Sequence, residues 1–325
     1  VEDGQEMDVL GVKMQFFTKH ISDDYNLTVW IPEKGVVLNN FLWPGTPNLY
    51  TLRGGVYRDP LDWRDGLKVI RDLQPEVVLN THTRAIVGHE KVMRRLTGYM
   101  DQISLTYDQT LRGILAGLSL GDLRDCVYIP PHLQEIPENA QSYGETVHFP
   151  AAIYQYVIGW FDGDVTKLFR VAPKEEAERL VALMGGRSKV VAAAQAALDA
   201  KEYVWGAQLV QYIYLLDPMD NEVRQLKADL LRQMGHRTTG SIARAFLLSE
   251  ALALEGKVTI PLLVPPTPEI IAASPDTFVD FFRVRIDPKK AQDTDQVVQF
   301  VFTDKENKAV ALHVRRGGVE YVPVP

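Results

Sequence analysis

Residues 77–90, VVLNTHTRAIVGHE, drive an apolar run straight into a histidine, a threonine and an arginine. A short apolar run bounded by polar residues reads as a buried strand. Open α/β sheets take their ligands outside the carboxyl ends of such strands. His82 is therefore a candidate contact residue at a sheet edge. The plain alternative is a strand end turning into the next helix, with His89-Glu90 in its cap region. Upstream, LDWRDGLKVIRDL (61–73) carries Leu61, Leu67, Ile70 and Leu73 at helical spacing. Before it, VKMQFF, NLTVWIP and, after the turn PEKG, KGVVLNNFLW read as strands. Residues 1–95 thus predict a β-β-β-α-β order: a half-sandwich with a helix on one face of its sheet and a need for cover on the other.

Working outward, residues 96–256 read as helical throughout. Within 189–235 three helices are expected, broken near Ala200-Lys201 and at Asp217-Pro218. Small residues alternate with large ones there, as in tetratricopeptide helix pairs. The charged stretch PKEEAER (173–179) reads as a solvated helix start. A Pro-rich linker covers 257–269 and a small α+β unit covers 270–325. In that tail DTFVDFF looks helical, while FFRVRID, QVVQFVFTD, KAVALHVRRG and VEYVPVP read as strands. FVFTDKENKAVALHV reads as a hairpin. The fold class is α/β, then all-α, then α+β.

A chain of 325 residues predicts two or three domains. The net charge of −7, with acids and bases interspersed, argues against a nucleic-acid binder, which needs a basic face. The apolar runs are too short for a transmembrane segment. The single cysteine, Cys126, excludes an intrachain disulfide and reads as buried and inert. The chain opens on VEDGQEMDVLGVKMQFF, already in strand and without an initiator Met, so a fragment or processed product is expected. A soluble protein is expected, with periplasm and cytoplasm both open.

Four stretches carry a resemblance: NLYTLRGGVYRDPLDW (48–63), YGETVHFPAAIYQYVIGWFDGDVTKLF (143–169), LLDPMDNEVRQLKADLLRQMGHRTTGSIARAFLLSEALAL and the tail from FFRVRID onward. Together they resemble the carboxyl-terminal part of the alkylsulfatase branch of the metallo-β-lactamase superfamily. The resemblance implies the second half of a lactamase-like αβ/βα sandwich, a helical dimerisation domain and a sterol-carrier-like tail. It also implies a homodimer that hydrolyses sulfate esters of alkyl alcohols with two zinc ions. The family's His-x-His-x-Asp-His motif, which supplies the first zinc ligands, is absent. The seven histidines are His20, His82, His89, His132, His148, His236 and His313, and no two stand at i, i+2. By the resemblance, His82 matches a metal-reaching histidine and Asp59 lies where a second metal carboxylate would stand. Asp59 also reads as a helix-start residue before Pro60. Where the family places an acidic ligand this chain has Asn39-Asn40, whose amides are poor substitutes for a bridging carboxylate.

Arg53, Arg58 and Arg84 are candidates for pairing a sulfate through forked hydrogen bonds. His148 and Tyr156 are catalytic candidates that would orient the ester or assist the leaving oxygen. Tyr154 and Trp160 would contact the substrate, with Tyr156 and Trp160 sharing a helix face at i, i+4. Core packing is the alternative for all four. Gly159 and the DGD at 162–164 read as a helix end and turn. Two functions compete: the carboxyl-terminal part of a zinc hydrolase taking alkyl sulfates or other amphipathic small molecules, inactive alone, and a non-enzymatic dimerising, alkyl-binding relative.

Overall fold

The computed structural model describes residues 1–22, 25–46, 49, 52, 57–261, 265–305 and 308–323. Two compact units divide the chain, residues 1–259 and 260–325.

The first unit opens with the strands β1 (Glu6–Val9), β2 (Val12–Phe17), β3 (Thr28–Ile31) and β4 (Val36–Asn39). Helix α1 (Pro60–Asp72), β5 (Val77–Asn80) and β6 (Ile86–Val87) follow. All six strands form one sheet in chain order, β4 and β5 parallel and the other neighbours antiparallel. The expected strands and helix are all present. β1 forms a hairpin with β2, and Leu10 and Gly11 at its turn both have positive φ. α1 buries Trp63, Leu67 and Ile70 against Val37, Phe41 and Val78. The apolar spacing that marked the helix is the face it buries.

Helix α2 (His89–Leu115) is the longest element and supplies Leu96, Tyr99 and Ile103 to the same core. It runs through the boundary expected at 95/96, so one core serves both sides of it. His89 is the first helical residue and Gly88 the cap. The expectation of helix throughout 96–256 is corrected between α2 and residue 148. That stretch holds only the short helix α3 (Pro131–Gln134) and 3₁₀ turns at Asp122–Asp125, Pro137–Asn139 and Thr146–His148. Prolines 130, 131 and 137 and glycines 117 and 121 break it up. Cys126 is half-buried, and burial pushes its thiol pKa up.

From there α4 (Phe149–Val157), α5 (Pro173–Leu183), α6 (Arg187–Asp199), α7 (Tyr203–Leu216), α8 (Asn221–Arg237) and α9 (Ser241–Leu254) follow. The three helices expected within 189–235 are α6, α7 and α8, with breaks where the sequence placed them. Gly206 on α7 allows close packing, since a Cβ there would stand 2.6 Å from Leu230 and 3.3 Å from Ala197.

The second unit holds α10 (Pro268–Ala273), α11 (Pro275–Asp280) and an antiparallel sheet of β7 (Asp295–Phe302), β8 (Lys308–Arg315) and β9 (Gly318–Pro323). Val279, Val310 and Leu312 form its core. The strand expected at FFRVRID is instead a 3₁₀ turn, Phe281–Arg285, continuing α11. Among the described residues no helix is long and apolar enough to cross a membrane.

Candidate functional site

Because β4 and β5 are parallel and in register from Val36↔Val77 to Asn39↔Asn80, their carboxyl ends share one edge. Asn39 is 3% exposed there. Its amide nitrogen donates to Asn80 Oδ1 (2.8 Å) and to the Leu79 carbonyl (3.2 Å). Its oxygen accepts from the amides of Phe41 (2.9 Å) and Leu42 (3.1 Å). Asn40 accepts from the Thr81 hydroxyl. Where the resemblance places an acidic ligand, an amide lattice closes the edge and sets the turn into Phe41.

His82 lies two residues beyond β5 and is exposed. Its ring stacks on Trp43, with centroids 3.9 Å apart and planes 19° from parallel. Trp43 in turn lies 5.8 Å from Tyr143, so a line of rings runs from the sheet edge to the loop before α4. Glu145 and His148 belong to that loop. His148 closes the 3₁₀ turn Thr146–His148, with Nε2 3.7 Å from the Glu145 carboxylate. Burial pushes its pKa down and the Glu145 charge opposes the shift, so the imidazole is held toward its neutral form.

Asp59 caps α1, accepting from the Leu61 amide at 2.8 Å with Pro60 at the first helical position. Arg58 holds its guanidinium 6.0 Å from the centre of the Trp63 ring. Arg84 is exposed, and Arg53 lies outside the described residues. Tyr154 is buried within the core face of α4. Tyr156 is exposed on one face and stacks on Tyr57 on the other, at 3.8 Å and 8°. The expectation that Tyr156 and Trp160 share a helix face is corrected. α4 stops at Val157, and Gly159 at φ +115° turns the chain away, leaving Trp160 beyond the helix and 74% exposed.

Trp43, Tyr143 and Tyr57 escaped the sequence reading, although Tyr143 opens one of the stretches that carried the resemblance. Trp43 follows directly on the strand-end segment, and aromatics at the end of a buried strand were the available signal. Among the described residues the Tyr57 hydroxyl is buried without a hydrogen-bond partner, and desolvation, aided by Asp59, raises its pKa, so it stays a neutral donor.

Among the described residues, the donors brought together do not fit zinc. A catalytic zinc takes three protein ligands. Among the described residues no three of His, Cys, Asp and Glu are grouped to hold a metal. Asp59 serves its helix, His82 lies flat on an indole, and amides stand where a carboxylate is needed. The edge and the loop before α4 present the stacked rings of His82, Trp43 and Tyr143, the exposed Arg84 and the His148 imidazole.

Residues 120–257 match the alkyl sulfatase dimerisation family. The linear primary-alkylsulfatase of Pseudomonas sp. (strain ATCC 19151) is 34% identical over 328 residues, covering 97% of this chain and 62% of that protein. The alkyl/aryl-sulfatase BDS1 of Saccharomyces cerevisiae is 28% identical over 266 residues, covering 81% of this chain and 41% of its own length. Among solved structures, the stereoselective inverting sec-alkylsulfatase Pisa1 from Pseudomonas sp. superposes with a TM-score of 0.87 at 26% identity, over 100% of this chain and 52% of that one. The chain spans between two fifths and two thirds of these relatives. In sequence and in fold, the chain is similar to the carboxyl-terminal part of the alkylsulfatases, with an alkyl sulfatase dimerisation domain over residues 120–257.

Proposed function

We propose that this chain is the carboxyl-terminal part of a hydrolase of alkyl sulfate esters or related amphipathic esters, which acts as a homodimer and is inactive without the remainder of the protein. The observation that carries the reading is the line His82–Trp43–Tyr143 leading from the sheet edge to His148, within a fold that follows an alkylsulfatase along its whole length. On this reading the sheet of the first unit is the second half of a lactamase-like sandwich. The helices of 173–254 are tetratricopeptide-like pairs, and the second unit is sterol-carrier-like. Arg58, Arg84 and Arg53 pair the sulfate. Neutral His148, together with Tyr156, orients the ester or assists its leaving oxygen, and Trp160 faces the substrate's chain, while Tyr154 supports α4 from the core. Zinc belongs to the reading through the resemblance alone.

The test is sulfate release from a medium-chain alkyl sulfate, with zinc content measured in parallel, by the chain alone and after an amino-terminal half is supplied. The chain alone should be inactive. In the completed protein His148→Ala should lower turnover with metal content unchanged. Comparable turnover by the isolated chain would overturn the reading. The closed lattice around Asn39 favours a second reading, a non-enzymatic dimer that binds alkyl groups. Saturable binding of an alkyl fluorophore without sulfate release in the completed protein would select it.

A further inference from the structure

A cavity of about 250 Å³ lies between the β2–β3 pair and α1, apart from the residues considered above. It has room for about eight water-sized groups at ~30 Å³ each. Phe17 and Thr28 are direct cross-strand partners, so both side chains leave the sheet on the same face. Phe17, Phe41 and Val69 give the cavity apolar walls. Gly66 is the close-approach point: a Cβ there would stand 2.3 Å from the Phe41 ring.

The polar lining is specific. Thr28 is 2% exposed and lines the cavity, and its hydroxyl has no hydrogen-bond partner among the described residues. That hydroxyl is thus open to a hydrogen bond from whatever occupies the cavity. His20 also lines the cavity. Its Nδ1 lies 2.7 Å from Asp62 Oδ1, while the other oxygen of Asp62 accepts from the Ile21 amide at 2.7 Å. In the neutral ring the carboxylate selects the tautomer with the proton on Nδ1, which leaves Nε2 as an acceptor with no partner among the described residues. Lys19 adds a donor at the same cavity. Asp3 adds a second carboxylate, accepting from the amides of Thr18 and Lys19 at 2.8 and 3.0 Å.

We propose that this cavity binds a small alcohol with an apolar tail, its hydroxyl donating to His20 Nε2 and accepting from the Thr28 hydroxyl while the tail packs on Phe17, Phe41 and Val69. A hydroxyl is the smallest group that both donates and accepts, as this pair requires. A sulfate or carboxylate head accepts only and would leave Nε2 unmet. Burial of the tail's methylenes against these apolar walls favours a chain over a bare alcohol. The alcohol assignment follows from the donor and acceptor set and stands whether or not the protein hydrolyses sulfate esters.

Isothermal titration of the whole chain with 1-hexanol, sodium hexyl sulfate and hexylammonium chloride tests it. Hexanol should bind saturably at one site, with both charged probes at least tenfold weaker. Thr28→Val preserves side-chain shape and removes the unpaired hydroxyl, so it should weaken hexanol at least tenfold while the unfolding midpoint stays equal or rises. His20→Phe should weaken hexanol as well; where that variant does not fold, Thr28→Val decides. Absence of saturation to the solubility limit, equal affinity in Thr28→Val, or tighter binding of hexyl sulfate would each overturn the proposal.

Discussion

Asn39 makes four hydrogen bonds from a buried side chain at the end of β4. Asn39→Ala orphans the amides of Phe41 and Leu42, so it should destabilise the chain by about 3 kcal/mol in urea unfolding. Asn39→Asp should be no milder. It keeps the acceptors but sets a charge against the Leu79 carbonyl and the Asn80 oxygen. His148 gives a pH signature. Its folded pKa lies below its ordinary value of 6.5, chiefly through burial. The unfolded chain therefore binds more protons in the window just below pH 6.5, and stability there falls as pH falls. The contribution is present above pH 6.5 and is lost as pH drops through the folded pKa. His148→Gln should flatten the stability profile in that window; an unchanged slope would place the shift elsewhere. At this scale the sequence exposed part of the site. His82 stood out because an apolar run ended on it. Trp43 did not, because its significance is a stacking partner that only the parallel pairing of β4 and β5 brings near.

Among the elements, strands and helices with clear periodicity were legible: β2 to β5, α1 and α6 to α8 follow their patterns. The failures share a cause. Phe282, Val284 and Ile286 alternate with arginines and aspartate, which mimics a strand. There the chain instead continues α11 as a 3₁₀ turn, with Arg283 held by Asp280 at 2.5 Å and Lys308 of β8 pairing Asp276. Period two cannot outvote a local ion pair and a helix already under way. Between α2 and α4 the prolines were visible but were outweighed by overall composition. The joints of α8 are testable. Asp220 caps the helix by accepting from the Val223 amide at 3.2 Å and is gripped by Arg187 Nε at 2.8 Å. Asp220→Ala should destabilise by about 1 to 2 kcal/mol, read by thermal unfolding followed at 222 nm. At the other joint Arg232 and Lys257 hold Glu255 between α8 and the end of α9, and these partners lower its pKa to about 2. A lowered carboxylate pKa stabilises above the unfolded value and is lost as pH falls through the folded one. The Glu255→Gln variant should therefore lose part of the acid slope between about pH 4.5 and 2, with little change in slope above that window.

For the whole molecule the question is what covers the segment after α4. Tyr156, Val157, Ile158, Trp160, Val165, Leu168, Phe169 and Val171 are each at least 42% exposed, within 16 consecutive residues. Scattered exposed apolar residues need no explanation, but a contiguous set marks an interaction surface. The segment lies inside the region matching the alkyl sulfatase dimerisation family. We therefore expect the whole chain to dimerise in solution, with this segment in the interface. Sedimentation equilibrium should give a dimer at 10 μM, a concentration at which half-dissociation corresponds to about −7 kcal/mol. Because association stabilises only the folded state, the unfolding midpoint should rise with protein concentration. The paired variant Trp160→Glu with Phe169→Asp places charge at two strongly exposed positions and removes little from the protomer's own core. It should yield a monomer whose far-ultraviolet spectrum is unchanged and whose midpoint no longer depends on concentration. Hot spots at such surfaces are enriched in tryptophan, so Trp160→Ala alone should weaken association by 2 kcal/mol or more, roughly thirtyfold. A clean monomer for the unmodified chain at 10 μM would defeat the expectation of a dimer. A dimer that survives the paired variant would move the interface off this segment.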